Sequence, residues 1–454
     1  MPVYVNRTLN LKKIKLIGFD MDYTLVRYNI EIFERLAHQQ AVRILVEDFG
    51  YPEGIRSLPF DKDRAIVGLV IDTRNGNMLK LSRFGKVKSA CHGLEHIHYR
   101  KVRDLYQSVA IDLSHPDYIP LDTSFAISYG VLYSQLVDEK SRGMKLPDFR
   151  TLAQDIHSAI NTAHQDGSIK DIVLDDLDRF VISDPKIPQL LERYADYGKK
   201  LMIITNSDYA YTRRILDYSI TPHLKSHSHW SEVFDLVVTL ADKPLFFQEQ
   251  RRFLAIDPET GCMKNHEGPV THGIYQGGWF KKLQNDMGLA GNEILYMGDH
   301  IYGDVVAIKK LCDWRTGLVL GDLERELEGI RKAKPIQSQI DELSKKKSRL
   351  EREINRLDIA RYEGSDPEPG ELDRLFENIE GINNRISVLL GEYRSNFNPI
   401  WGEVLRSGNE ESRYADQIIS YACVYMTRIS DLFDYSPKTY FRPLRRTMAH
   451  EQDE

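Results

Sequence analysis

The sequence has little of several features that would assign a function class directly. Its four cysteines, Cys91, Cys262, Cys312 and Cys423, are scattered without CxxC spacing, which argues against a disulfide framework or a cysteine zinc site and fits free thiols in a reducing compartment. No stretch approaches the ~18 apolar residues needed to span a bilayer, and Met1 to Lys13 contains no apolar signal core. A cytoplasmic protein without membrane contact is therefore expected. The formal net charge is only -6, and no long basic run is interleaved with aromatics, so a nucleic-acid track is not expected. A small anionic substrate has to be held by local charges. The histidine groups His92, His96, His98 and His223, His227, His229 show no consistent ligand pattern with cysteine, so zinc is not expected either.

Against these absences stands a repeated design. Ile14 to Phe19 reads as a short buried strand running into Asp20-Met21-Asp22-Tyr23-Thr24. Lys200 to Ile204 leads into Thr205-Asn206-Ser207-Asp208 and then a helix-like stretch. Ile294 to Met297 leads into Gly298-Asp299-His300 and Gly303-Asp304, followed by helix-like Val305 to Leu311. Apolar strands separated by helices, each ending in polar residues, predict an α/β fold with a parallel sheet whose ligands lie at the carboxyl ends of the strands. Between the first two strands lie roughly 180 residues, far more than one crossover helix requires. Leu79 to about Ile119 and Arg150 to Ala163 are the candidates for an inserted cap.

From Ile340 the pattern changes. Ile340, Leu343, Leu350, Ile354 and Leu357 keep heptad spacing, with Lys347 at one seam position. After the break Gly364-Ser365-Asp366-Pro367-Glu368-Pro369-Gly370, the spacing resumes with Leu372, Leu375, Ile379, Ile382, Ile386 and Leu389. An antiparallel helical hairpin is expected here, followed by an aromatic and arginine-rich segment that returns to the core.

The strand ends carry the chemistry. Two aspartates separated by one residue suit phosphoryl transfer: Asp20 attacks phosphorus and Asp22 protonates the leaving oxygen. Asp299 and Asp304 offer the hard oxygens that Mg²⁺ prefers. Thr205 can donate its hydroxyl to the transferring group, with the amides of Asn206 and Ser207 beside it at a helix start. Lys243, in Ala241-Asp242-Lys243-Pro244, offers a fixed positive charge for phosphoryl oxygens and crowded carboxylates.

In this chain order the set resembles the haloacid dehalogenase superfamily of phosphotransferases. The resemblance implies Asp20 as nucleophile, Asp22 as acid and base, Thr205 and Lys243 at the phosphate, and Asp20, Asp22, Asp299 and Asp304 around Mg²⁺. Gly18 to Leu25, Thr205 to Tyr209, Lys243 to Phe247 and Gly298 to Asp304 further resemble the cytosolic purine (IMP-GMP) 5'-nucleotidases. So do Leu405-Arg406-Ser407-Gly408, Tyr414-Ala415-Asp416 and Met448-Ala449-His450-Glu451, so the likeness covers nearly the whole chain.

The implied architecture is a haloacid dehalogenase-like Rossmannoid core over residues 1–78, 120–145 and 163–335, and a cap over 79–119 and 146–162. The hairpin would occupy 336–396, and a segment over 397–454 would pack on the core. The resemblance also implies a purine held between Phe125 and His164, a substrate-phosphate contact at Lys170, and a homo-oligomer, dimer or tetramer. An ATP or GTP effector site outside the cleft is implied too, with Tyr302 and Lys310 as candidates. The sequence departs from the family at the base edge: His157 and Asn161 stand where the family has arginine and aspartate, and Gln165 replaces an aromatic neighbour of the histidine. Base preference within the purines is thus left open.

The expected activity is Mg²⁺-dependent hydrolysis of a purine nucleoside monophosphate through an aspartyl-phosphate, with transfer to an acceptor nucleoside as a companion reaction. Two other readings are kept: a phosphatase for a sugar phosphate or other small ester, and a binding or scaffold protein working through the hairpin.

Overall fold

The computed structural model describes residues 2–365, 368–445 and 447–451. Asp366 and Pro367 of the expected hairpin break lie outside them, as do Met1, Arg446 and residues 452–454 at the expected core and tail. The described chain forms two compact units, residues 1–322 with 404–454 and residues 323–403.

The first unit is built on a ten-stranded sheet. Leu16–Phe19, buried at every position, lies in its middle with Ile294–Gly298 on one side and Lys200–Ile204 on the other, both parallel to it. Arg315–Val319 and Val424–Met426 continue the parallel array beyond Ile294–Gly298, and Leu236–Thr239 and Gly273–Gly277 continue it beyond Lys200–Ile204. The pairings at the two margins are antiparallel. Strands covered on both faces need apolar side chains at successive positions, which is why these segments read as short unbroken Leu, Ile and Val runs. Met202, Val238, Phe246, Phe247, Tyr296 and Trp314 form part of one buried cluster against this sheet. This is the α/β arrangement with a mainly parallel sheet that was expected, and its parallel strands bring Asp20, Thr205 and Asp299 out at one edge.

The long insertion after Leu16–Phe19 contains a second, five-stranded antiparallel sheet. Its order is Glu95–His96, Val87–His92, Asn77–Leu81, Leu69–Asp72, Tyr118–Pro120, so it takes in residues 69–72 ahead of the expected start at 79. Val70, Leu79, Ala90, Val102 and Tyr106 are buried together in its own small core. Helix Phe149–Gln165, which covers most of the expected cap segment 146–162, packs on helices Ile30–Glu47 and Ile127–Ser141.

In the second unit, helices Leu323–Tyr362 and Glu371–Arg394 pair along a seam that buries Ile340, Ile354, Leu357, Ile382 and Leu389. The first helix starts at Leu323, ahead of the expected 336, and runs through Pro335. A proline ring removes one backbone hydrogen bond and crowds the preceding turn, yet pairing of the apolar faces carries the helix past it.

The four cysteines are free, and the histidine groups are partnered individually: His92 with Asn77, His223 with Ser183 and His229 with Asp217. No helix among the described residues is long and apolar enough to cross a membrane.

Glu192, on helix Lys186–Asp196, gathers the loop after helix Tyr209–Ser219. It accepts from the amides of Lys225, Ser226 and His227 and from the Ser226 hydroxyl. Burial opposes its charge, but these donors prevail and hold its carboxyl at about 2. Its contribution to stability is therefore complete above the ordinary carboxylate range and is lost as pH falls from about 4.5 towards about 2. Glu192→Gln should lower stability at neutral pH by about 1–3 kcal/mol and flatten the acid limb. Urea unfolding between pH 2 and 7 measures both; equal curves for the two proteins would refute the assignment.

Candidate active site

Asp20 follows the last residue of the central strand, and its amide donates to the Met297 carbonyl (2.8 Å), extending the pairing with Ile294–Gly298. The chain then turns sharply, with Tyr23 at φ 55°, a left-handed conformation that costs energy for a non-glycine residue and marks a built feature. Asp20 Oδ1 accepts from the Met21 amide (2.8 Å) and pairs with Lys243 Nζ at 2.9 Å. The same ammonium donates to Asp304 Oδ1 (2.8 Å) and to the Tyr296 hydroxyl (3.1 Å), which in turn donates to the Ile204 carbonyl (2.8 Å). Burial opposes the charge of Lys243, but Asp20 and Asp304 keep it well above the usual lysine range.

Lys243 owes its place to Asn206, whose side chain accepts from the Lys243 amide (2.7 Å) and donates to its carbonyl (3.1 Å). The Asn206 side chain thus anchors the lysine loop. Thr205, buried at the end of Lys200–Ile204, accepts from the Ser207 amide through Oγ1 (3.1 Å), which leaves its hydroxyl hydrogen for another acceptor.

Asp299 precedes a single π-helical turn, Ile301–Val306, and Asp304 lies within it, a form that recurs at functional sites. Asp20, Asp299 and Asp304 each offer an oxygen within 4.8 Å of the others, the one such metal-holding group among the described residues. Burial raises Asp20 well above the usual range, with its neighbouring carboxylates adding to it and Lys243 opposing, and raises Asp299 to about 7 with Asp304 adding. Buried like charges at this density call for a cation, and an all-carboxylate donor set suits a divalent metal such as Mg²⁺.

The Asp22 carboxylate lies outside this group, although it was expected in it. Tyr28 donates to its Oδ1 (2.6 Å) and Ser207 to its Oδ2 (2.8 Å), and Tyr28 is itself bonded to the Tyr211 hydroxyl (3.1 Å). Burial raises Asp22 while the two hydroxyls favour its charged form. Tyr28, Tyr211 and Tyr296 have no signal in the sequence, because the partner of a tyrosine hydroxyl is visible only in three dimensions.

The outer residues are arranged less as expected. Phe125 and His164 have ring centroids 5.9 Å apart at 82°. A base held between two rings needs parallel walls about 7 Å apart, twice the usual stacking separation, so these two do not form that sandwich. Phe33 lies nearly parallel to His164, 23° with centroids 6.2 Å apart, and Tyr23 packs edge-on to Phe125. Burial holds His164 at about 4, neutral at physiological pH. His157 and Asn161 are exposed and bonded to each other (3.2 Å). Lys170 Nζ is bound to Asp208 at 2.5 Å, and Asp208 caps helix Tyr209–Ser219. Tyr302 is 44% exposed on the π-helical turn, while Lys310 covers the ring of Tyr421 at 5.4 Å.

A mainly parallel sheet delivers Asp20, Thr205 and Asp299 to one edge, where Lys243 and Asp304 join them. The 5' nucleotidase family model matches residues 3–453. The chain belongs to the 5' nucleotidase family. It is 26% identical over 459 residues to a 5'-nucleotidase domain-containing protein of Dictyostelium discoideum, covering 99% of this chain and 74% of the relative. It is 25% identical over 470 residues to 5'-nucleotidase domain-containing protein 2 of Homo sapiens, covering 99% and 85%. Among solved structures, CbbY from Rhodobacter sphaeroides in complex with phosphate aligns at 12% identity and a TM-score of 0.25, covering 67% of this chain and 86% of that one.

Gly298 lets Asp304 approach the strand end: a Cβ there would lie 2.3 Å from Asp304 Oδ2 and 2.5 Å from its Cβ. Gly298→Ala should therefore displace Asp304 and weaken Mg²⁺ binding by about 10–100-fold. Calorimetric titration of the folded variant tests this, and wild-type affinity would show that the carboxylate adjusts freely.

Proposed function

We propose that the protein hydrolyses purine nucleoside 5'-monophosphates to nucleoside and phosphate through a phosphoryl group carried on Asp20. The observation that carries this reading is the buried Lys243 ammonium shared between Asp20 and Asp304 at 2.9 and 2.8 Å, with Asp22 held by two hydroxyls beside it. Family membership supplies the nucleotide, and the resemblance at residues 18–25 and 298–304 supplies the purine.

Asp20 attacks phosphorus while the bond to the ester oxygen breaks, and protonated Asp22 gives its proton to the departing 5'-oxygen. Tyr28 and Ser207 then stabilise the carboxylate that Asp22 becomes. In the second half Asp22 takes a proton from water as the water oxygen attacks phosphorus, and Asp20 is released with inorganic phosphate. An acceptor nucleoside hydroxyl in place of water gives phosphotransfer by the same bonds. Lys243 and Thr205, with the Asn206 and Ser207 loop, face the phosphoryl oxygens, where fixed donors are most effective in a dry site. Asp20, Asp299 and Asp304 would hold Mg²⁺, which supplies positive charge where the phosphate and the carboxylates meet. Lys170 reaches the phosphate on leaving Asp208. ATP or GTP acting at Tyr302 and Lys310 would bear on Asp304 through the π-helical turn.

A second reading, a smaller phosphate ester as substrate, is favoured by the perpendicular Phe125 and His164 rings. Comparing kcat/KM for inosine, guanosine and pyrimidine monophosphates with sugar phosphates separates the two. A Phe125→Ala variant that loses purine monophosphates and small esters equally would show that the ring does not read the base.

Asp20→Asn should lower turnover by about 10⁴-fold or more. Asp22→Asn should cost about 10²–10⁴-fold with nucleotides and much less with p-nitrophenyl phosphate, whose leaving group needs little protonation. Steady-state phosphate release measures both; retained turnover in Asp20→Asn overturns the mechanism, and equal losses on both substrates overturn the role of Asp22.

A further inference from the structure

The segment between the five-stranded sheet and helix Ile127–Ser141 touches the acidic trio at Asp299. At its start, Tyr118–Pro120 pairs with Leu69–Asp72, and the Leu121 amide and carbonyl bond to the Leu69 carbonyl and the Gly68 amide, both at 2.8 Å. At its end, helix Ile127–Ser141 has no side-chain cap of its own. Glu34, fully buried on helix Ile30–Glu47, accepts the Ser128 amide there at 2.7 Å. A strap of few residues is thus fixed at both ends by buried hydrogen bonds.

Midway along it, Thr123 Oγ1 lies 2.7 Å from Asp299 Oδ2 and also accepts from the Phe125 amide at 3.4 Å. A threonine hydroxyl has one hydrogen. With its lone pair turned to the Phe125 amide, that hydrogen is directed to the carboxylate. Asp299 Oδ2 is thereby held by the hydroxyl, which fixes the orientation of the carboxylate. An outer partner of this kind orients a metal-binding carboxylate and sets how strongly it binds.

We propose that Thr123 is a positioning residue for Asp299, and that through it the five-stranded sheet is tied to the metal centre. The proposal rests on the reading that Asp20, Asp299 and Asp304 hold Mg²⁺. Displacement of the sheet relative to the core draws on the strap and so reorients a metal ligand, which makes Mg²⁺ affinity respond to the position of the insertion.

The test is direct metal binding without substrate: calorimetric titration with Mg²⁺, and with Mn²⁺ followed by electron paramagnetic resonance, on the full chain. Thr123→Val, which keeps the shape and removes the hydroxyl, should weaken binding about 10-fold or more. Thr123→Ser should bind within about 2–3-fold of wild type. In turnover assays the defect of Thr123→Val should shrink as Mg²⁺ is raised, which a general packing defect would not do. Circular dichroism confirms folding, and Thr123→Ala takes the place of the valine variant if that fails to fold. A folded variant without the hydroxyl that binds both ions with wild-type affinity overturns the link alone. Wild-type protein that binds neither ion overturns the metal reading, and the link with it.

Discussion

The ammonium of Lys243, sealed between Asp20 and Asp304, is the interaction on which the site depends. Taking a charge out of water costs roughly several kcal/mol per ion after relaxation, and the three strand-end carboxylates repel one another as well. One buried lysine shared between two of them offsets part of both penalties and leaves Asp20 and Asp304 in reach of a common ligand. Much of the surrounding framework serves to keep that lysine in place. Asn206 holds its backbone from both sides, Tyr296 accepts its third hydrogen, and Tyr296 is moored to the strand that carries Thr205.

The parallel sheet explains why these groups meet at all. Asp20, Thr205 and Asp299 come from three adjacent strands that run in the same direction, so their carboxyl ends open at one edge. Side chains from rigid strands give a fixed constellation, and loops then add what the chemistry requires: the left-handed Tyr23, the π-helical turn at Asp304 and the loop bearing Lys243. The two carboxylates closest in sequence end in different surroundings. Asp20 faces the Lys243 ammonium and other acids, while Asp22 faces two hydroxyls.

The insertion between the first two core strands is tied to the site. Its sheet has its own buried cluster, yet the connection back to the core carries Thr123 onto Asp299 and Phe125 against Tyr23. A single short segment therefore places the Phe125 ring against Tyr23 and a hydroxyl on the Asp299 carboxylate.

What the sequence by itself determined is the part governed by local periodicity and by short motifs at strand ends. Unbroken apolar runs that stop at polar residues can only be buried strands, so the parallel core and the positions of Asp20, Thr205, Lys243, Asp299 and Asp304 were legible, as was the heptad seam from Ile340 to Leu389. Tertiary structure alone decided which hydroxyls the carboxylates meet. Tyr28, Tyr211, Tyr296 and Thr123 carry no local signature, because a buried hydroxyl is defined by a partner that for Thr123 and Asp299 lies 176 residues away. It also decided how the rings of Phe125 and His164 stand to one another, since ring orientation follows from packing against Tyr23 and Phe33 rather than from residue type. Likewise the helix through Pro335 persists because pairing of two apolar faces outweighs a local breaker, a balance that no single segment of sequence contains.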